Sequence, residues 1–128
     1  MILHLYDAGA LVAADRRDQR MLIRHRGILA SGQTPLVPAG VLGQVWRDGA
    51  RQVQLARLVK GCKVLPLTEE LARAAGELCG RAGTADVIDA AVALAAGPGT
   101  ILYTSDPGDL TKLLANLPFG QGVQVVTV

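Results

Sequence analysis

The stretch Ala85-Asp86-Val87-Ile88-Asp89-Ala90-Ala91-Val92-Ala93-Leu94-Ala95-Ala96-Gly97-Pro98-Gly99-Thr100-Ile101-Leu102-Tyr103-Thr104-Ser105-Asp106-Pro107 reads as a helix, a stop, a strand and the opening of a second helix. Ala85 to Ala96 is apolar almost all round, which predicts a buried helix rather than one with a solvent face. Gly97-Pro98-Gly99 ends it. Thr100 to Thr104 is strand-like, and Pro107 sits where a helix running to Leu114 has its first turn. A buried helix, a strand and another helix in immediate succession are the repeating unit of a parallel sheet covered on both faces.

The same alternation extends outward in both directions. Towards the amino end, Ile2 to Tyr6 is a short strand and Ala8 to Ala14 is helical in composition. Arg16 to Ser31 alternates charge with Met21, Leu22, Ile23, Ile28 and Leu29, as an amphipathic helix does. Thr34 to Pro38 is a brief strand, Ala39 to Trp46 a helix, Arg51 to Lys60 another, and Cys62 to Leu67 a strand. Thr68 is an N-cap, with Glu69 and Glu70 in the first turn of a helix that Gly83 ends. Gly122 to Val128 is a last strand. The expected architecture is therefore a three-layer α/β/α sandwich with a mostly parallel central sheet, in one domain spanning residues 1–128.

Composition narrows the class. Half the residues are apolar but aromatics are scarce, so the core is built of Leu, Val, Ile and Ala. No apolar run reaches membrane-spanning length, and the first residues have no basic, cleavable leader. Cys62 and Cys79 lack metal-site spacing and read as reduced core thiols of a cytoplasmic protein. The net charge of +2 hides an asymmetry: residues 1–63 hold ten basic and four acidic groups, residues 64–128 three basic and seven acidic. A basic surface beside an acidic pocket suits a polyanion held by its backbone, with Arg16, Arg17 and Arg47 as contacts.

Four carboxylates carry the chemistry: Asp7 and Asp106 just after strands, and Asp86 and Asp89 three residues apart on one helix face. In open α/β sheets, ligands bind beyond the carboxyl ends of the strands, where Asp7 and Asp106 fall. Each acid also has a structural explanation. Asp106, before Pro107, is an ideal helix N-cap, and Asp109 lies in the first turn beside the dipole. Asp7 would cap the helix from Ala8, and Asp86 would be a first-turn dipole partner. Asp89 is hardest to explain, since its neighbours are apolar and it lies past the first turn of a helix begun at Thr84 or Ala85. Carboxylates brought together repel and call for a hard cation such as Mg²⁺ or Mn²⁺. Thr104 and Ser105 hydroxyls would assist there. His4 and His25 have no zinc-like spacing and are poor catalytic candidates.

In order and content, Leu5-Tyr6-Asp7-Ala8-Gly9-Ala10, Val37-Pro38-Ala39-Gly40-Val41-Leu42-Gly43-Gln44-Val45-Trp46-Arg47, Thr84-Ala85-Asp86-Val87-Ile88-Asp89-Ala90-Ala91 and Tyr103-Thr104-Ser105-Asp106-Pro107-Gly108-Asp109-Leu110 resemble the PIN domain, in particular VapC-like toxin ribonucleases. The resemblance runs the length of the chain. It implies metal-binding carboxylates at Asp7, Asp89 and Asp106, with Asp86 an additional acid of some members. It also implies Mg²⁺- or Mn²⁺-dependent endoribonuclease activity, with tRNA or rRNA as targets, homodimers, and a small antitoxin partner.

One position departs: where the family usually carries Glu, this chain has Gln44, which offers a carbonyl oxygen but no charge. Either Asp86 restores that charge, or the chain is a weakened PIN-like module that binds RNA or protein without cutting. Two rivals fit worse. A receiver domain wants a late-strand Lys, but Lys112 is inside the last helix. A haloacid-dehalogenase phosphatase wants a second Asp two residues after Asp7, where Gly9 stands.

Overall fold

Strand and helix alternate through the chain because short β-branched and Leu-rich runs are punctuated by turn residues, prolines and glycines, with side-chain caps from Asp18, Thr68 and Asp86 opening three of the helices. The computed structural model describes residues 2–128. The elements are β1 (Leu3–Tyr6), α1 (Ala8–Asp15), α2 (Gln19–Ala30), β2 (Leu36–Pro38), α3 (Ala39–Val45), α4 (Val53–Lys60) and β3 (Lys63–Leu65), followed by α5 (Glu69–Ala82), α6 (Val87–Ala95), β4 (Thr100–Thr104), α7 (Pro107–Leu114), a 3₁₀ turn (Gly120–Gly122) and β5 (Gln124–Thr127).

The strands form one five-stranded sheet in the order β3-β2-β1-β4-β5, parallel throughout. The chain first winds outward from β1 to β2 and β3, then returns to β4 and moves outward again to β5. With right-handed crossovers, the first winding places α1 to α4 on one face and the second places α5 to α7 on the other. The helix contacts agree: α1 packs on α3 and α4, while α6 packs on α5 and α7. The result is the expected α/β/α sandwich. Its core joins Leu5, Val37 and Leu102 of the strands to Leu11, Val41 and Leu55 on one side of the chain's path and Leu78, Val92 and Leu110 on the other.

Local chemistry sets the boundaries; several shift from the sequence reading, and three of the shifts matter most. The helix expected from Arg16 starts at Gln19, because the Asp18 side chain accepts the Met21 N–H and caps it there. Arg16 and Arg17 form the preceding corner, with Arg17 at φ +61°. The last strand begins at Gln124, after the 3₁₀ turn. The buried helix begins at Val87 rather than Ala85, which changes the meaning of its two acids. By contrast, Thr68 caps α5 through Leu71 N–H and Gly83 ends it at φ +70°, as expected.

His4 and His25 are core residues with structural partners. The Nδ1 atom of His4 lies 2.8 Å from the Tyr103 hydroxyl, and its Nε2 lies 2.7 Å from Gln33 Oε1. The Nδ1 atom of His25 lies 2.8 Å from the Tyr6 hydroxyl, and burial pushes the His25 pKa down. These bonds fasten α2 and the loop after it to β1 and β4. Both cysteines are free thiols, and burial pushes Cys62 up to about 12, so it is not a nucleophile.

Candidate metal centre

Between β1 and β4 the direction of winding reverses, which makes the crevice beyond their carboxyl ends the topological switch point. Tyr6 pairs with Tyr103, and the Asp7 N–H continues the ladder to Tyr103 O at 2.9 Å. Asp7 therefore leaves β1 beside Thr104, the last residue of β4. The two are tied directly: Thr104 Oγ1 donates to Asp7 Oδ2 at 2.8 Å and accepts the Asp106 N–H at 3.0 Å. One buried hydroxyl thus positions both strand-end acids. The sequence places a supporting hydroxyl at Thr104; that it engages Asp7 depends on β1 and β4 being neighbours.

Asp7 is 6% exposed, and its other oxygen, Oδ1, is buried with no hydrogen-bond partner among the described residues. The second such atom, Thr100 Oγ1, lies at the opposite end of β4. An unsatisfied hydroxyl is a modest cost, whereas an unsatisfied carboxylate oxygen is a large one. Nor does Asp7 cap α1, although it occupies the N-cap position. The capping explanation for Asp7 therefore fails.

It fails for Asp106 as well. Asp106 is the N-cap residue of α7, with Pro107 at the first helical position, yet its carboxylate bonds no backbone N–H of the helix. It instead interacts with Asp109, whose pKa is raised by a side-chain hydrogen bond to Asp106 and by the Asp106 charge. On α6 the outcome reverses. Asp86 is the true N-cap, accepting the Asp89 N–H at 2.9 Å. Asp89 is in the first turn, so its sequence position is less anomalous than it looked. Its environment is nonetheless acidic. Burial, then the Asp86 and Asp7 charges, a side-chain hydrogen bond with Asp86 and the Asp109 charge push the Asp89 pKa up to about 7.

Asp7, Asp86, Asp89, Asp106 and Asp109 thus belong to one cluster whose members perturb each other. Among the described residues, no three of these carboxylates converge on one point as a closed metal cage. The centre is a loose acidic cluster around one rigidly held acid, not the finished pocket the sequence suggested. Its donors are all hard carboxylate oxygens, one of them buried and unpaired, and this set fits Mg²⁺ or Mn²⁺.

The surrounding residues sort less evenly. Ser105 is exposed and lies against Gly9, where an added Cβ would come 2.5 Å from Ser105 N. That glycine lets the start of α1 approach the β4–α7 loop. Gln44 is exposed on α3 and bonds none of the acids among the described residues. Arg16 lines a cleft of about 340 Å³ with Gly9 and Ser105, and Arg17 is exposed beside it. Arg47 departs from expectation. Its guanidinium donates to Gly43 O and Trp46 O at 3.1 and 2.7 Å, so it closes the end of α3. A larger cleft of about 620 Å³ lies between α7 and β5, but it is lined by no ionisable side chain. Chemistry, not cavity size, marks the site.

No protein-family model and no curated protein matches the chain. Solved structures do. A chain of the VapBC2 complex from Rickettsia felis, bound to a DNA fragment from their promoter, superposes with a TM-score of 0.67 at 13% identity, covering 100% of this chain and 99% of that one. A chain of DNA-bound VapBC from Salmonella typhimurium gives 0.62 at 14% identity, covering 99% and 98%. PAE2754 from Pyrobaculum aerophilum gives 0.59 at 18%, covering 98% and 84%. Nearly the whole chain is matched at identities where only architecture persists, so the chain shares the fold of these structures, the PIN-like α/β/α sandwich that the motif order implied.

Proposed function

We propose that this chain is a Mg²⁺- or Mn²⁺-dependent endoribonuclease and the toxin of a toxin–antitoxin pair. The observation that carries the reading is the buried, unpartnered Asp7 Oδ1 amid mutually repelling acids at the switch point of a PIN-like sheet. Asp7, Asp89 and Asp106 would hold the ion, with Asp86 beside Asp89 making up the charge that Gln44 lacks. When bound, such an ion supplies Lewis-acid chemistry, acidifying water and offsetting charge on a phosphodiester. The protein's own part is positional. Thr104 orients Asp7 and anchors the backbone of Asp106. Asp89, whose pKa burial and the neighbouring acids raise, would release its proton on taking the ion. Ser105 and Asp109 stand at the exposed rim.

The antitoxin side of the reading rests on the VapBC complexes among the structural neighbours and on a groove of this chain. Leu22, His25, Leu29, Gln54, Arg57 and Leu58 line a cleft of about 280 Å³ between α2 and α4. Its apolar floor and basic edge suit an amphipathic, acidic segment. By resemblance, the reading also includes homodimers, tRNA or rRNA as target, and a cytoplasmic location. Among the described residues, no helix is long and apolar enough to cross a membrane.

Single-turnover cleavage of RNA with Mg²⁺, Mn²⁺ or EDTA tests the nuclease reading. Cleavage is expected with either metal, and Asp7→Asn should abolish it. RNA binding without cleavage in either metal would overturn the reading in favour of a non-cutting PIN-like module, the alternative that Gln44 raises. Gln44→Glu then reports on the missing charge: a large gain in rate means the centre is present but weakened.

A further inference from the structure

Resting on that reading, we propose that Arg16, Arg17, Arg20 and Arg24 form a phosphate track that leads single-stranded RNA to the acidic centre along one face of α2, opposite the α2–α4 groove.

Two clefts carry the argument. Arg16 shares the first with Gly9 and Ser105, next to Asp106. Arg20 and Arg24 line the second, of about 150 Å³, together with Met21 and Thr127. The two clefts share Ala13, Asp18 and Val128, so they form one continuous depression from the rim of the centre to the side of α2. Arg20 and Arg24 are one helical turn apart and face the same way. Leu22, His25, Arg26 and Leu29 face the α2–α4 groove instead. A strand of RNA and an amphipathic peptide can therefore occupy α2 from different sides.

The charges along the track are unspent. Among the described residues, the ion pairs are Arg51–Asp48 and Arg73–Glu69, so none of the four arginines is neutralised. The acids adjacent in sequence are engaged by hydrogen bonds rather than ion pairs: Asp18 accepts Met21 N–H as the cap of α2, and Asp15 accepts from Gln52 Nε2 at 3.3 Å. Arg24 is held in place by its position over the Tyr103 ring, 5.4 Å from the centroid, which lowers the entropy lost on gripping a phosphate.

Arg17 adds an independent sign. The turn after α1 has the Schellman pattern, with Arg17 N–H on Ala14 O and Asp18 N–H on Ala13 O. Its left-handed position, φ +61°, is one where glycine would be relaxed. A long cationic side chain stands where glycine would be relaxed, beside Arg16, and local backbone strain of this kind clusters at functional sites.

Binding of a short single-stranded RNA, in EDTA so that it stays intact, should be measured against salt for the wild type, for Arg16→Gln/Arg20→Gln/Arg24→Gln, and for Arg26→Gln/Arg57→Gln. Circular dichroism confirms folding of each variant. The track variant should bind roughly tenfold or more weakly, with a log–log salt slope reduced by about 0.7 for each lost phosphate contact. The groove variant should keep the wild-type slope. Arg17→Gly should melt at a higher temperature yet bind RNA less tightly. If the wild type binds RNA and the track variant keeps its slope, or if only the groove variant loses it, the track is overturned while the nuclease reading stands. If the wild type neither binds nor cleaves RNA, both fall.

Discussion

At the scale of the residue, Asp7 and Asp89 show two ways of keeping a carboxylate in reserve. Asp7 is fixed by one hydroxyl and left with a free oxygen. Asp89 is held among like charges that favour its protonated form. The Asp89 value of about 7 lies above that of an unfolded aspartate, near 3.9. Between those values the native state holds a proton that the unfolded chain has released. Stability should therefore fall as pH rises from about 4 to about 7 and be insensitive to Asp89 above that. Asp89→Asn should remove that component of the slope and stabilise the metal-free protein at pH 8 by about 1 kcal/mol, a modest figure because Asp89 is half exposed. Urea unfolding at pH 5 and pH 8 in EDTA measures both. A variant as pH-sensitive as the wild type would refute this account. The same substitution should abolish cleavage.

At the scale of the element, helix starts decide which acids are free. Asp86 is spent on capping α6, while Asp106, which looks like a better cap in sequence, caps nothing and engages Asp109 instead. The reason is that Thr104 Oγ1 takes the Asp106 N–H and sets the approach to α7. The approach of α1 to the β4–α7 loop depends in turn on Gly9. Gly9→Ala would place a methyl against Ser105 backbone, and the loop or the helix must move. Thermal unfolding should show a loss of about 1–3 kcal/mol. Because the strain falls between Asp7 and Asp106, divalent-metal affinity measured by calorimetry should fall as well. Gly27→Ala, with nothing within 4 Å of the added carbon, should leave metal affinity unchanged.

At the scale of the whole molecule, the acidic centre sits where the two windings of the sheet diverge, and the basic excess of residues 1–63 lies on the helices of the first winding and the turns that join them. A ligand that relieves the acids should stabilise the entire fold, because the sheet ends that present them are among its most buried parts. Mn²⁺ at a hundred times its dissociation constant should add about 2.7 kcal/mol. Differential scanning calorimetry should show a metal-dependent rise in melting temperature at pH 7.5 that Asp7→Asn loses. The rise should be smaller at pH 5, where metal must displace the Asp89 proton.

Much of this was legible from residues alone. Alternating strands and helices, Gly97-Pro98-Gly99 as a stop, Thr68 and Gly83 as the bounds of α5, and acids after the first and fourth strands all follow from local preference and pattern, which act over a few residues. What no stretch of sequence reveals is the pairing of β1 with β4, since that depends on which distant strands share a sheet. The pairing brings Thr104 to Asp7 across 97 residues and leaves Asp7 Oδ1 unsatisfied. Tertiary packing also joins Arg16 to Arg20 and Arg24 in one depression, whereas Arg47 is drawn by local bonds into closing the end of α3. Sequence supplied the carboxylates and arginines. Tertiary structure decided which of them have charge and hydrogen-bonding capacity left to use, because satisfaction of a polar group is settled by neighbours in space.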